Sequence, residues 1–134
     1  MAESDYNGAR NCMMQPKRLL IVDDDHQVLA YLTQFLQDAG YDTVSCDQFA
    51  DARRLLATSR PDLLLTDIRL GAYNGLQLAI ESRKSHPGIP IIVLTGYDDP
   101  TLRLEAAHSG AIFLVKPIPN HELLACIAKA LAGT

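Results

Sequence analysis

Asp23 and Asp24, Asp67, Thr95 and Lys116 are the residues in this sequence whose types could do chemistry together. Each follows an apolar run: Leu19-Leu20-Ile21-Val22 leads into Asp23, Leu63-Leu64-Leu65-Thr66 into Asp67, Ile89 to Leu94 into Thr95, and Ala111 to Val115 into Lys116. Short runs without polar alternation read as strands of a parallel sheet covered on both faces. Open sheets of that kind carry their ligands at the carboxyl ends of the strands. One polar residue opening a loop means nothing, but four strand ends supplying three carboxylates, a hydroxyl and an ammonium form a pocket.

Such a pocket is electrostatically unbalanced. Three carboxylates close together cannot all stay ionised unless a cation neutralises them. One lysine is too little, whereas Mg²⁺ suits an all-oxygen site of two or three carboxylates and a backbone carbonyl. With the metal on one side and Lys116 and Thr95 on the other, the pocket becomes a socket for a tetrahedral dianion. A carboxylate at its centre, Asp67, attacking phosphorus would give an aspartyl phosphate.

The elements that must position these residues follow in regular order. Val28, Leu29, Leu32, Phe35, Leu36 and Ala39 repeat at helical spacing from about His26, and Gly40 stops that helix. Tyr41 to Cys46 is a more polar strand suited to a sheet edge. Asp47 is expected to cap a helix carrying Phe49, Ala52, Leu55 and Leu56. After Asp67, residues 68–73 read as a loop, and Asn74-Gly75 leads into a helix ended by His86-Pro87-Gly88. Asp99-Pro100 opens a helix whose broken apolar pattern should hold it weakly to the sheet. Asn120 is expected to cap the last helix, which bears Leu123, Leu124, Ile127, Ala128 and Leu131. Five strands alternating with five helices predict an α/β fold, a doubly wound, flavodoxin-like parallel sheet with strand order 2-1-3-4-5 and helices on both faces.

Composition narrows the function classes. The 134 residues suffice for one domain, and a net charge of −4 provides no field for nucleic acid or anionic lipid. No apolar run reaches the roughly 20 residues of a membrane span, and there is no signal-peptide core. Cys12, Cys46 and Cys126 are scattered, which suggests free thiols in a reducing cytoplasm; the histidines do not share zinc-ligand spacing with them. Residues 1–16 read as a flexible polar extension and 17–132 as the domain, with Met13 or Met14 an alternative start.

Val22-Asp23-Asp24, Asp67-Ile68, Asn74-Gly75, Leu94-Thr95 and Val115-Lys116-Pro117 resemble, in order and spacing, the signature sites of the receiver domain of bacterial two-component response regulators. The resemblance runs from Lys17 to about Leu131. It implies that Asp67 is the phosphoacceptor, that Asp24 binds Mg²⁺ directly and Asp23 through water, and that the Arg69 backbone carbonyl adds a ligand. Thr95 and Lys116 would hold phosphoryl oxygens, and the Lys116–Pro117 bond would be cis. Phe113 would turn inward as Thr95 moves, altering the face made by the fourth helix, fifth strand and last helix. The implied partner is a histidine kinase or phosphotransfer protein, with homodimerisation through the last two helices a further possibility. Gly71 replaces a proline common in the family and should loosen its loop. Tyr97 and Arg69 sit where the family tunes phosphoryl lifetime, and Tyr97 is read as a shield against water. His26 is read as a solvated residue at a helix start.

Two alternatives accompany this reading. Asp23 and Asp25 have the Asp-x-Asp spacing of haloacid-dehalogenase-type phosphatases, nucleophile then general acid, although Asp67 would then have no role. A flavodoxin fits poorly, because its phosphate loop could not be triply acidic. No DNA-binding helix pair is read in the chain, so a stand-alone receiver and a part of a longer regulator or hybrid kinase both fit.

Overall fold

The computed structural model describes residues 15–70 and 73–133. Most of the predicted N-terminal extension, Cys12, Met13, Met14 and Gly71 therefore lie outside the described residues. The sheet strands are β1 (Arg18–Val22), β2 (Asp42–Cys46), β3 (Leu63–Thr66), β4 (Ile91–Thr95) and β5 (Ile112–Val115). Between them run α1 (His26–Asp38), α2 (Phe49–Thr58), α3 (Gly75–Ser85) and α4 (Pro100–His108), and α5 (Asn120–Ala132) follows β5. All strand pairs are parallel, in the order 2-1-3-4-5.

Alternation along the strands sorts the core into two layers. Leu19, Ile21, Leu63, Leu65, Ile92 and Leu94 face Leu32 and Leu36 of α1 and Leu123 and Ile127 of α5. Leu20, Val22, Leu64, Ile91 and Val93 face the other way, toward Phe49, Ala52 and Leu56 of α2, Leu76 and Ala79 of α3 and Ala106 of α4. The central strand β3 is buried along its whole length, as a strand covered on both faces requires. Burying one such leucine is worth about 1.5–3 kcal/mol, so the strand that delivers Asp67 is well anchored. By contrast α4 buries only Ala106 and leaves Leu104 59% exposed. The weak attachment expected from its pattern is present.

Local chemistry differs from expectation at two helix starts. Asp47 does not cap α2; Gln48 stands at that position without a side-chain bond, and Asp47 instead pairs with His26 at 2.6 Å. Nor does Asn120 cap α5, which begins after Pro119; its amide is hydrogen-bonded to the Tyr31 hydroxyl. Asp99 does cap α4, accepting from the Thr101 N–H at 2.8 Å. Within the expected loop after Asp67, Arg69–Leu70 and Tyr73–Asn74 pair as a small antiparallel ribbon.

Candidate phosphoacceptor site

Register brings the acidic residues together. Val22 of β1 lies opposite Thr66 of β3, so Asp23 and Asp67 are the next residues on adjacent strands. The Asp67 N–H donates to the Val22 carbonyl at 2.9 Å, and the Asp23 N–H to Cys46 at 3.3 Å, extending the ladders one residue past the strands. Carboxylate oxygens of Asp23, Asp24 and Asp67 lie within 4.8 Å of one another. Asp23 is buried at 2% exposure, Asp24 is exposed and Asp67 lies between.

Lys116 reaches this cluster from β5. Its Nζ is 3.3 Å from Asp23 Oδ2 and 3.8 Å from Asp67 Oδ2. The Lys116 N–H donates to the Thr95 carbonyl at 2.7 Å, and the Lys116–Pro117 bond is cis, as the resemblance implied. Burial pushes the Asp67 carboxyl above its ordinary value and the Asp23 charge adds to the rise; Lys116 and the N–H groups of Ile68 and Arg69 oppose it. Three carboxylates against one ammonium leave the pocket with a formal deficit of two positive charges. A divalent cation with oxygen ligands fits that deficit and that donor set.

Thr95 is fully buried, and its Oγ1 accepts from the Tyr97 N–H at 3.1 Å. That bond uses a lone pair, which leaves the hydroxyl proton for an acceptor in the pocket. Behind Asp67, Gly75 is required by space. A Cβ there would fall on the Asp67 carbonyl oxygen and lie 3.1 Å from the Ile68 Cα.

The remaining predicted residues surround this centre. Tyr97 is 50% exposed, with the Arg69 guanidinium 4.1 Å from its ring centroid. Phe113 is half-buried at the edge of the core, and Arg103 of α4 stacks on its ring at 4.8 Å. Arg103 is itself held by Asp98 at 2.7 Å. His26 is exposed as expected, but its Nε2 is hydrogen-bonded to Asp47 Oδ2 at 2.6 Å rather than merely solvated. Asp25, the general acid of the phosphatase alternative, is the N-cap of α1, accepting from Gln27 and Val28 N–H groups at 3.0 and 3.2 Å. An Asp just ahead of a periodic apolar helix is a legible cap signal. The stacking of Arg69 on Tyr97 and of Arg103 on Phe113 has no local sequence signal, because each joins segments that meet only through the topology.

Acidic residues and a lysine converging at one edge of an open parallel sheet are consistent with the active site of a receiver module. The response regulator receiver domain profile matches residues 19–128, and the chain belongs to that family. It is similar to the transcriptional regulatory protein GlrR of Escherichia coli K12, 35% identical over 118 residues that cover 87% of this chain and 27% of that protein. It is also 33% identical to the response regulator MprA of Mycobacterium sp. strain KMS, over 89% of this chain and 52% of that protein. The chain therefore spans only part of the length of both relatives. Among solved structures, a CheY-like receiver domain from Methanospirillum hungatei JF-1 superposes with a TM-score of 0.85 at 29% identity, covering 89% of this chain and 96% of that one.

Proposed function

We propose that Asp67 accepts a phosphoryl group from a histidine kinase or phosphotransfer protein, and that the acquired charge changes the α4–β5–α5 face. The observation that carries this reading is the convergence of Asp23, Asp24 and Asp67 within 4.8 Å, with Lys116 Nζ 3.8 Å from Asp67. Asp23, Asp24, Asp67 and the Arg69 carbonyl would hold Mg²⁺, which offsets charge on the phosphoryl oxygens. The Asp67 carboxylate supplies the nucleophile, and Lys116 and the Thr95 hydroxyl receive the phosphoryl oxygens. Residues 17–132 form the receiver unit, with 1–16 an extension, and the domain works in the cytoplasm as a module acting on itself rather than as a turnover enzyme. Its output passes through protein contact, within a longer chain or through a homodimer of the α4–β5–α5 face.

Engagement of Asp25 as the α1 cap weighs against the phosphatase alternative, which needs that carboxyl at the substrate. The deciding experiment is incubation with Mg²⁺ and acetyl phosphate followed by intact-mass measurement. One phosphoryl group is expected on the parent and none on Asp67→Asn. Label persisting in that variant would place the acceptor elsewhere.

A further inference from the structure

Thr66, the last residue of β3, is buried and lies in register with Val22 of β1 and Val93 of β4. Both valines belong to the layer that faces α2, α3 and α4. Valine shares threonine's β-branched outline, so packing between two valines does not call for a hydroxyl. A buried hydroxyl costs stability unless it is hydrogen-bonded. Here Oγ1 donates to the Asp67 carbonyl at 2.9 Å. That carbonyl also abuts Gly75, whose missing side chain makes room for it. The N–H of the same peptide unit, that of Ile68, donates to Asp67 Oδ1 at 2.7 Å. Oδ2 is the oxygen turned toward Lys116, at 3.8 Å. One rigid peptide plane thus connects the Thr66 hydroxyl at one end with the Asp67 carboxylate at the other.

We infer that Thr66 is a positioning residue for phosphoryl transfer. By holding the Asp67 carbonyl it fixes the 67–68 peptide plane, and with it the Ile68 N–H that orients the Asp67 carboxylate. This rests on the reading of Asp67 as acceptor. In that transfer an Asp67 oxygen attacks phosphorus while the bond to the leaving group breaks in line. With acetyl phosphate the bond formed is from the Asp67 oxygen to phosphorus, and the bond broken joins phosphorus to the acetate oxygen. The electron pair departs on acetate, and no proton moves. With phosphoramidate the P–N bond breaks and the pair departs on a nitrogen already protonated, giving neutral ammonia. A nucleophile aimed off that line slows the step, because the reacting atoms must meet close and aligned. Without the hydroxyl the plane tilts more freely, the Ile68 N–H holds Oδ1 less well, and the carboxylate turns. The Thr66 side chain sits behind the acceptor, on the α3 side, and acts only through the backbone. Its effect is therefore the same whatever group leaves phosphorus.

The test compares Thr66→Val, which keeps the outline and removes the hydroxyl, with Thr66→Ser, which keeps the hydroxyl. Second-order phosphorylation rate constants are measured with acetyl phosphate and with phosphoramidate at saturating Mg²⁺. Thr66→Val should slow both about two- to ten-fold, the worth of one hydrogen bond, and by the same factor. Thr66→Ser should keep the parent rates. The spectroscopic signature is the Ile68 amide proton, which a carboxylate acceptor draws downfield. It should move upfield in Thr66→Val and hold its place in Thr66→Ser. Thr66→Ala is a second hydroxyl-free variant, with the same slowing and the same amide shift expected, for use if the valine variant folds poorly. Parent rates in the hydroxyl-free variant, slow transfer with an unmoved Ile68 amide, or slowing of one donor alone would overturn the inference while leaving Asp67 as acceptor. A parent protein labelled by neither donor, or label retained in Asp67→Asn, would instead remove the acceptor reading and this inference with it.

Discussion

Asp67 carries its charge at a cost that burial and the neighbouring Asp23 impose. Because its value in the folded chain lies above the ordinary 3.8, the folded state binds that proton more tightly than the unfolded one. The stability linked to this proton is fully present below the unfolded value and is lost as pH rises through the folded one. At neutral pH, in a chelator, Asp67→Asn should therefore melt higher than the parent. That gap should close as the buffer approaches pH 3.8. Paired thermal melts across that range check it, and a variant that melts lower at neutral pH would contradict the sign. At this scale the sequence was most informative: Asp23, Asp24, Asp67 and Lys116 could be listed from strand ends alone, since a parallel sheet aligns those ends. The Asp25 cap had a readable signal, an Asp just ahead of an apolar helix, that the reading of Asp23-Asp24-Asp25 as acidic site residues passed over. The His26–Asp47 contact was not legible, because a polar side chain in a loop has several partners within reach and only coordinates select one.

Among the elements, α4 is the one that its own sequence leaves loosely packed. Only Ala106 is buried, with Leu102 packing partly against the same layer, and the stack of Arg103 on Phe113, continued to Asp98, adds a further link between the helix and β5. An exposed stack of this kind is worth about 0.5–1 kcal/mol, which amounts to a two- to five-fold population bias. Phe113 is the residue read as the inward-turning switch, and in this structure Arg103 covers its ring from outside. Arg103→Ala should raise the inward population of Phe113 in the unphosphorylated protein by about that factor. Fluorine NMR on labelled phenylalanine would measure it, and an unaltered spectrum would rule out a role for the stack. The weakness of α4 was legible in the irregular spacing of Leu102, Leu104 and Ala106. The identity of its tether was not, since Arg103 and Phe113 lie ten residues apart with a helix end and a turn between them.

At the scale of the whole molecule, the acidic cluster joins the ends of β1 and β3 and Lys116 joins β5 to both, so a cation held by the three carboxylates would tie β1 to β3. A ligand that binds only the folded chain stabilises all of it, by about 2.7 kcal/mol at a hundred times its dissociation constant. Mg²⁺ should therefore raise the melting temperature by several degrees, reversibly on adding EDTA, and by much less in Asp24→Asn. A rise of the same size in that variant would locate the metal elsewhere. The strand order and the two-layer core were legible because apolar runs and helical spacing repeat without interruption. The ribbon at Arg69–Leu70 and Tyr73–Asn74 was not, because two-residue strands carry no periodicity.

The glycine that opens α3 bears on how the molecule can deform. Gly75 Cα is pressed to the Asp67 backbone, and its N–H donates to the Ile68 carbonyl at 2.6 Å, so acceptor and helix start share one stiff mount. Compliance is left to the opposite wall, where Thr95 leads through an exposed segment into a helix with one buried side chain. Movement set off by the proposed phosphorylation of Asp67 would thereby be one-sided, channelled toward β4 and α4 while the α3 flank stands still.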